Sequence, residues 1–156
     1  MSDKNTYIAV GHPLGYTVID GSIVYMLDCG EICSITQQEL LIWSSISYKE
    51  HELPECRELL EKKFILDLSK TEDQKYLMNC TAIRQGIGAV YENKHAINLG
   101  PIPVQVTESQ LELWRAIDGY TTFGQLFGVL YENKTDFYND VLTLARYDLI
   151  YLKIKQ

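Results

Sequence analysis

The sequence predicts an α+β fold built from two tandem modules, each a β-hairpin followed by two or three helices and a closing strand. Three observations support this: an internal repeat around the two tryptophans, β-prone runs before each copy, and amphipathic helical segments after it. A chain of 156 residues is long enough for two small domains. We expect the first module over residues 1–70 and the second over residues 76–156.

The internal repeat has an offset of 71 residues, the distance from Thr36 to Thr107. The segment TQQELLIWSSI begins at the first threonine and TESQLELWRAI at the second, so that the only two tryptophans, Trp43 and Trp114, coincide. Each threonine is expected to cap a helix, because its hydroxyl accepts a hydrogen bond from a free N–H of the first turn. Apolar residues three positions before and after each tryptophan lie on the same helical face. We therefore predict that both tryptophans are buried core anchors.

Each copy is preceded by a segment that is typical of a β-hairpin. In the first copy, the β-prone runs Tyr16–Ile19 and Ser22–Leu27 are joined by Asp-Gly, a strong signal for a two-residue turn. In the second copy, the runs Ile87–Tyr91 and His95–Leu99 are joined by three residues, which predicts a looser turn. The Gly-Pro-Ile-Pro segment that follows indicates a connector or an edge, not a central strand.

The second copy continues with more helical sequence than the first. We predict helices over Phe123–Tyr131 and Asp136–Tyr147 and a closing strand over Leu149–Ile154. In the first copy the second helix is expected to be short or missing, while Phe64–Leu66 mirrors the closing strand. The polar residues Ser69–Gln74 are predicted to form a short joint between modules that pack together.

One stretch of the second copy resembles a known family. The order Trp114, Ile117, Asp118-Gly119, Thr122 and Leu126, followed later by Leu149-Ile150, is similar to the pattern of PqqD-like domains. The resemblance covers residues 85–154 well and residues 15–68 more loosely, and Asp148 stands where the family usually has glycine. It implies a winged-helix-like fold for each module. It also implies recognition of a peptide, since these domains bind the leader peptides of ribosomally made, modified peptides.

Composition and cysteine spacing predict a cytoplasmic protein without metal. No run of 18 apolar residues occurs, and Met1–Asn5 is unlike the start of an export signal. A zinc site could be drawn from Cys29, Cys33, His51 and Cys56, but the spacing does not require one. We expect reduced, structural cysteines, as is usual in the cytosol.

No catalytic motif is found in the sequence. The pair Gly86 and Gly88 lacks the third glycine and the helix of a dinucleotide-binding loop, so hairpin glycines are the better interpretation. The cluster Glu50-His51-Glu52 is expected to lie in a solvated loop. We therefore predict a protein that is not an enzyme and that binds no cofactor.

The main functional hypothesis is an adaptor that binds a peptide or protein. A hairpin edge beside the third helix could accept an extra strand through backbone hydrogen bonds. The expected groove is formed by residues of the second hairpin and the third helix, namely His95, Ile97, Leu99, Val141, Leu144 and Ala145.

The alternative hypothesis is a winged-helix DNA-binding transcriptional regulator that reads DNA with the third helix. The formal net charge of −7 opposes it. Residues 1–75 carry 7 basic and 13 acidic side chains, which gives −6 of that total. We therefore expect neither nucleic acid nor a membrane as partner, and a homodimer is a further hypothesis.

Overall fold

The computed structural model describes residues 6–154; Met1–Asn5, where no export signal is predicted, and residues 155–156 lie outside the described part. The predicted α+β class is confirmed, with six helices and ten strands between residues 6 and 154. None of the helices in this part is long and apolar enough to cross a membrane.

The first half forms a strand, a three-stranded meander, two helices and a closing strand. The antiparallel meander has the order β2-β3-β4, and β1 pairs antiparallel with β5. The elements are β1 (Tyr7–Ala9), β2 (His12–Ile19), β3 (Ser22–Asp28), β4 (Ile32–Ile35), α1 (Gln37–Ser45), α2 (Leu53–Glu61) and β5 (Ile65–Asp67).

The second half repeats this order with one additional helix. After α3, which links the halves, the antiparallel meander has the order β7-β8-β9, and β6 pairs antiparallel with β10. The elements are α3 (Thr71–Met78), β6 (Cys80–Arg84), β7 (Ile87–Tyr91), β8 (Lys94–Leu99), β9 (Ile102–Val106), α4 (Glu108–Ala116), α5 (Phe123–Leu130), α6 (Lys134–Arg146) and β10 (Ile150–Ile154).

The tryptophans of the repeat make equivalent hydrogen bonds. The indole N–H of Trp43 donates to the carbonyl of Val10 at 3.0 Å. That of Trp114 donates to the carbonyl of Gln85 at 3.2 Å, and also to that of Leu149 at 3.1 Å. Val10 and Gln85 each follow the first strand of their half, and each is followed by a glycine with positive φ, +99° at Gly11 and +93° at Gly86. The tryptophan thus ties its helix to the end of the first strand in both halves.

The last helices of the two halves also end alike. Lys63 and Asp148 both take the left-handed conformation, with φ of +61° and +58°. The next residue returns its N–H to the helix, from Phe64 to the carbonyl of Leu59 and from Leu149 to that of Leu144, both at 2.9 Å. Because the backbone needs positive φ here, glycine would be the easier residue at both positions.

The predicted helix starts are confirmed at both copies. The hydroxyls of Thr36 and Thr107 accept hydrogen bonds from the backbone N–H groups of Glu39 and Gln110. In return, these two side chains accept a hydrogen bond from the backbone N–H of the capping threonine, which completes a capping box in each helix.

One detail of the sequence-based prediction is wrong, and two others are specified further by the structure. The second hairpin turns on two residues, Glu92 and Asn93, which both have positive φ, so its turn is as tight as that of the first hairpin. Of the two interpretations of the proline segment, connector or edge, the structure shows the edge: residues 102–106 form the outer strand β9, where Pro103 is tolerated. The polar joint is largely helical, because α3 begins at Thr71.

The two halves pack on a shared central ribbon. Tyr7 and Ile65 belong to the smaller core cluster, whereas Ile8 and Leu66 point to the opposite face and join the larger one. The larger cluster otherwise consists mainly of residues of the second half. The ribbon of β1 and β5 is therefore covered on both faces, and the predicted division between residues 70 and 76 is not a division of the core.

We expect Trp43→Phe and Trp114→Phe each to lower the free energy of unfolding by about 1–3 kcal/mol, because each leaves a buried carbonyl without its indole donor. Urea unfolding of the two variants and of Tyr48→Phe measures this. Tyr48 is exposed, so its variant is expected to stay within about 0.5 kcal/mol of wild type. A tryptophan variant as stable as this control would contradict the equivalence of the two bonds.

Candidate functional site

The structure places the predicted peptide-binding residues mainly in the core. Ile97, Val141 and Leu144 are fully buried. His95 and Leu99 are half-buried on β8, which is the central strand of its sheet and is paired on both sides. No incoming strand can pair with β8, so the predicted groove has to be corrected.

The predicted helix is also not next to this strand. The helix α6 packs mainly against α4, β1 and β10, whereas α4 packs on β8. Of the six predicted residues, Ala145 lines a surface cleft at the junction of the two halves. The free edges of the two meanders are the outer strands, namely β2 and β4 in the first half and β7 and β9 in the second.

Among these edges, β2 is long and carries exposed apolar side chains. Every residue of the strand after His12 is exposed. Tyr16 and Val18 are 67% and 60% exposed, and Leu14 and Ile19 are exposed as well. A bulge at Pro13–Gly15 interrupts the ladder to β3, so the regular edge runs from Gly15 to Ile19.

The hairpin geometry defines which backbone groups face outward along β2. Ile19 pairs with Ser22 across the two-residue turn, and such a closing pair exchanges its own hydrogen bonds. Because bonded and non-bonded pairs alternate, the N–H and C=O groups of Val18 and Tyr16 point away from β3. These groups are the ones available to an additional strand.

A cleft of about 540 Å³ opens at the junction of the two halves, where β2 begins. Its volume is in the range of small-ligand sites. The first half contributes the beginning of β2, the strand β1 and the end of α1. The second half contributes the ends of β6 and α6 and the beginning of β10. The lining includes Ala9, His12, Pro13, Trp43, Ser44, Arg146 and Asp148.

The polar groups of the cleft come from both halves. The imidazole of His12 stacks on the ring of Tyr151 with 4.6 Å between centroids, and the amide of Gln85 approaches its Nδ1 at 3.5 Å. Desolvation raises the pKa of Asp148, although His12 acts in the opposite direction. Burial lowers the pKa of Arg146. The cleft therefore combines aromatic surfaces with partly desolvated charges.

The cysteines do not form a metal centre in the part of the chain that the structure describes. No group of three or more His, Cys, Asp or Glu residues between positions 6 and 154 could hold a metal ion. Burial raises the pKa of Cys29 and Cys80 to about 12 and that of Cys56 to about 11. Thiols with such values are poor nucleophiles at neutral pH.

An arrangement like a catalytic triad spans the segment between α1 and α2, which replaces the additional helix in the first half. The hydroxyl of Ser45 lies 2.6 Å from Nε2 of His51, whose Nδ1 lies 2.9 Å from a carboxylate oxygen of Glu55. The expectation that His51 lies in a solvated loop is wrong, since the residue is only 4% exposed. A serine, a base and a group that orients the base are the parts of an activated nucleophile.

The surroundings of Ser45 favour a structural role for this triad. Ser45 is 7% exposed, and its hydroxyl also lies 2.9 Å from the carbonyl of Ile42 in its own helix. It stands at the end of α1, where carbonyl groups and not N–H donors are free to face a ligand. The cleft is lined by Ser44 and Ile46 but not by Ser45. We interpret the three residues as a clamp between α1 and α2.

Comparisons of the chain with protein-family models, curated proteins and solved structures gave no match. Function is therefore inferred from the geometry and chemistry of the β2 edge and the junction cleft.

We expect Ser45→Ala to lower the free energy of unfolding by about 1–3 kcal/mol, because Nε2 of buried His51 loses its hydrogen-bond partner. Ser44→Ala is the matched control: Ser44 is exposed and its variant should change stability by less than about 0.5 kcal/mol. Urea unfolding measures both. Equal stabilities would contradict the clamp, and labelling of Ser45 by a fluorophosphonate would indicate a nucleophile instead.

Proposed function

We propose that the protein is a non-catalytic adaptor, built from two winged-helix-like modules, that binds an extended basic peptide by strand addition to β2. The observation that carries the proposal is the free edge of β2, on which Tyr16 and Val18 are exposed. Backbone hydrogen bonds to such an edge provide affinity, and alternating side chains provide specificity. The resemblance of the segment around Trp114 to peptide-recognition domains supports the same class of function.

An unprotected apolar edge needs a reason, because it invites unwanted pairing. Soluble proteins usually guard such strands with lysine, proline or a bulge. Here Pro13 and the bulge protect only the beginning of β2, and Gly15–Ile19 contains no charged residue. A partner strand that covers Tyr16 and Val18 would remove both the unpaired backbone groups and the exposed apolar surface.

The charge of the first half favours a basic partner. Residues 1–75 have 7 basic and 13 acidic side chains, whereas residues 76–156 have 7 and 8. The excess of negative charge therefore lies in the half that contains β2. It attracts a basic peptide and repels the phosphate backbone of DNA.

Val18→Pro tests the proposed edge, because proline removes an outward N–H without breaking a hydrogen bond of the β2–β3 ladder. The probes are labelled ten-residue peptides of alternating valine and threonine that end in two arginines or in two glutamates. Fluorescence anisotropy is expected to show binding of the basic peptide to the wild type. We expect the variant to bind the basic peptide at least about tenfold more weakly. The proline removes one backbone hydrogen bond to the peptide and disturbs the regular edge on which the peptide pairs.

Val90→Pro is the matched control, since Val90 holds the equivalent outward position on β7. It should leave the affinity unchanged. Equal binding of the basic and acidic peptides, or equal loss in both variants, would contradict the proposal. A second copy of the chain is the other possible occupant of the β2 edge, and light scattering of the free protein detects it. A dimer that Val18→Pro dissociates would show that β2 pairs with a second copy instead of a peptide.

A further inference from the structure

In the second half, an arginine covers the tryptophan of the repeat. The guanidinium of Arg84 lies over the ring of Trp114 at 5.0 Å from the ring centroid. Its Nη1 also donates to the carbonyl of Arg115 at 3.3 Å, near the end of α4. The aromatic face and the negative end of the helix thus hold one cation together.

The first half has alanine at the equivalent position. Arg84 pairs with Ile150 across the β6–β10 ladder, and Ala9 pairs with Ile65 across the β1–β5 ladder. Both residues directly precede the residue whose carbonyl accepts the indole N–H. Position 9 therefore corresponds to position 84 by strand register and by its place beside the tryptophan.

The space that the arginine fills in one half is open in the other. Trp43 and Ser44 correspond to Trp114 and Arg115 in the aligned repeat. Ala9, Trp43 and Ser44 all line the junction cleft. An indole and a helix end of the kind that hold Arg84 thus face a cavity instead of a side chain.

The geometry points to the junction cleft as a binding site for an arginine side chain of the partner peptide, seated beside Trp43 as Arg84 is seated on Trp114. This inference rests on the proposed function, and it names the residue that the peptide must carry. His12 and Pro13 connect the two surfaces, because they belong to β2 and also line the cleft. A peptide paired along β2 can therefore extend into the cleft.

The cleft contains one charge that favours a guanidinium guest, on Asp148, and one that opposes it, on Arg146. The carboxylate of Asp148 lines the cleft and can pair with it. Arg146 and His12 also line the cleft, and the permanent charge of Arg146 opposes a second cation. A planar guanidinium stacks on an aromatic face and donates to carbonyl oxygens in one plane, which a lysine ammonium cannot do. Arginine is therefore expected to bind in preference to lysine.

Titration with Nα-acetyl-arginine amide tests the site without the peptide. Its neutral counterpart, Nα-acetyl-citrulline amide, has nearly the same shape and is expected to bind about tenfold more weakly, because the cation–π contact is lost. The readout is the shift of the two indole N–H signals in protein labelled with ¹⁵N-tryptophan. We expect the signal of Trp43 to move on titration and that of Trp114 to stay.

Two reciprocal variants test the site in both halves, one by filling the space beside Trp43 and the other by opening the space beside Trp114. Ala9→Arg is expected to fill the cleft from within and to abolish the shift at Trp43. Arg84→Ala is expected to uncover Trp114, so that its signal now moves as well. Wild-type binding by Ala9→Arg, or equal affinity for arginine and citrulline derivatives, would overturn the inference.

The outcomes also separate this inference from the proposed function. If the arginine derivative binds at Trp43 but Val18→Pro does not weaken peptide binding, the cleft is a site and strand addition at β2 is wrong. If peptides bind along β2 equally well with arginine or lysine at their end, the adaptor for basic peptides stands and the arginine site is wrong.

Discussion

The fold depends on one hydrogen bond that occurs twice, from an indole N–H to the carbonyl that ends the first strand of each half. Trp43 and Trp114 both hold a capped helix against a strand that is itself paired with the closing strand. The glycine after each acceptor has positive φ and turns the chain into the meander. A buried tryptophan stabilises the core through its area and keeps its N–H bonded, so helix, strand and meander are fixed at one point.

The two halves diverged around this common bond, and the differences lie on the surfaces to which we assign function. The second half keeps α5 and covers its tryptophan with Arg84. In the first half, residues 46–52 contain no helix, and Ser45 and His51 hold this short segment in place. Ala9 leaves the junction cleft open, and β2 exposes the apolar side chains of Leu14, Tyr16, Val18 and Ile19.

The sequence allowed prediction of those features that are encoded locally. The capping threonines, the Asp-Gly turn and the spacing around each tryptophan act within a few residues, so the helix starts and the first hairpin could be read directly. The short strands β1, β4 and β6 were missed, since three to five residues carry too weak a pattern. The prolines of β9 excluded a central strand but left a connector and an edge strand as alternatives, because both tolerate a residue without an N–H donor.

The candidate site was beyond sequence reasoning because it depends on tertiary contacts. The central place of β8 and the packing of α4 rather than α6 on this strand follow from tertiary structure, which periodicity does not reveal. The clamp of Ser45 and His51 joins residues of two elements, and the cleft joins the two halves. The one available signal was the aligned repeat itself, in which the residues beside the tryptophans differ.

Hydrogen exchange of the two indole N–H groups, followed by NMR under native conditions, tests the central claim most directly. If both bonds anchor halves that share one core, Trp43 and Trp114 should exchange only through global unfolding, with the same protection free energy. Fast exchange at one indole, while the other stays protected, would contradict the account, because one half would then open without the bond on which its fold is said to depend.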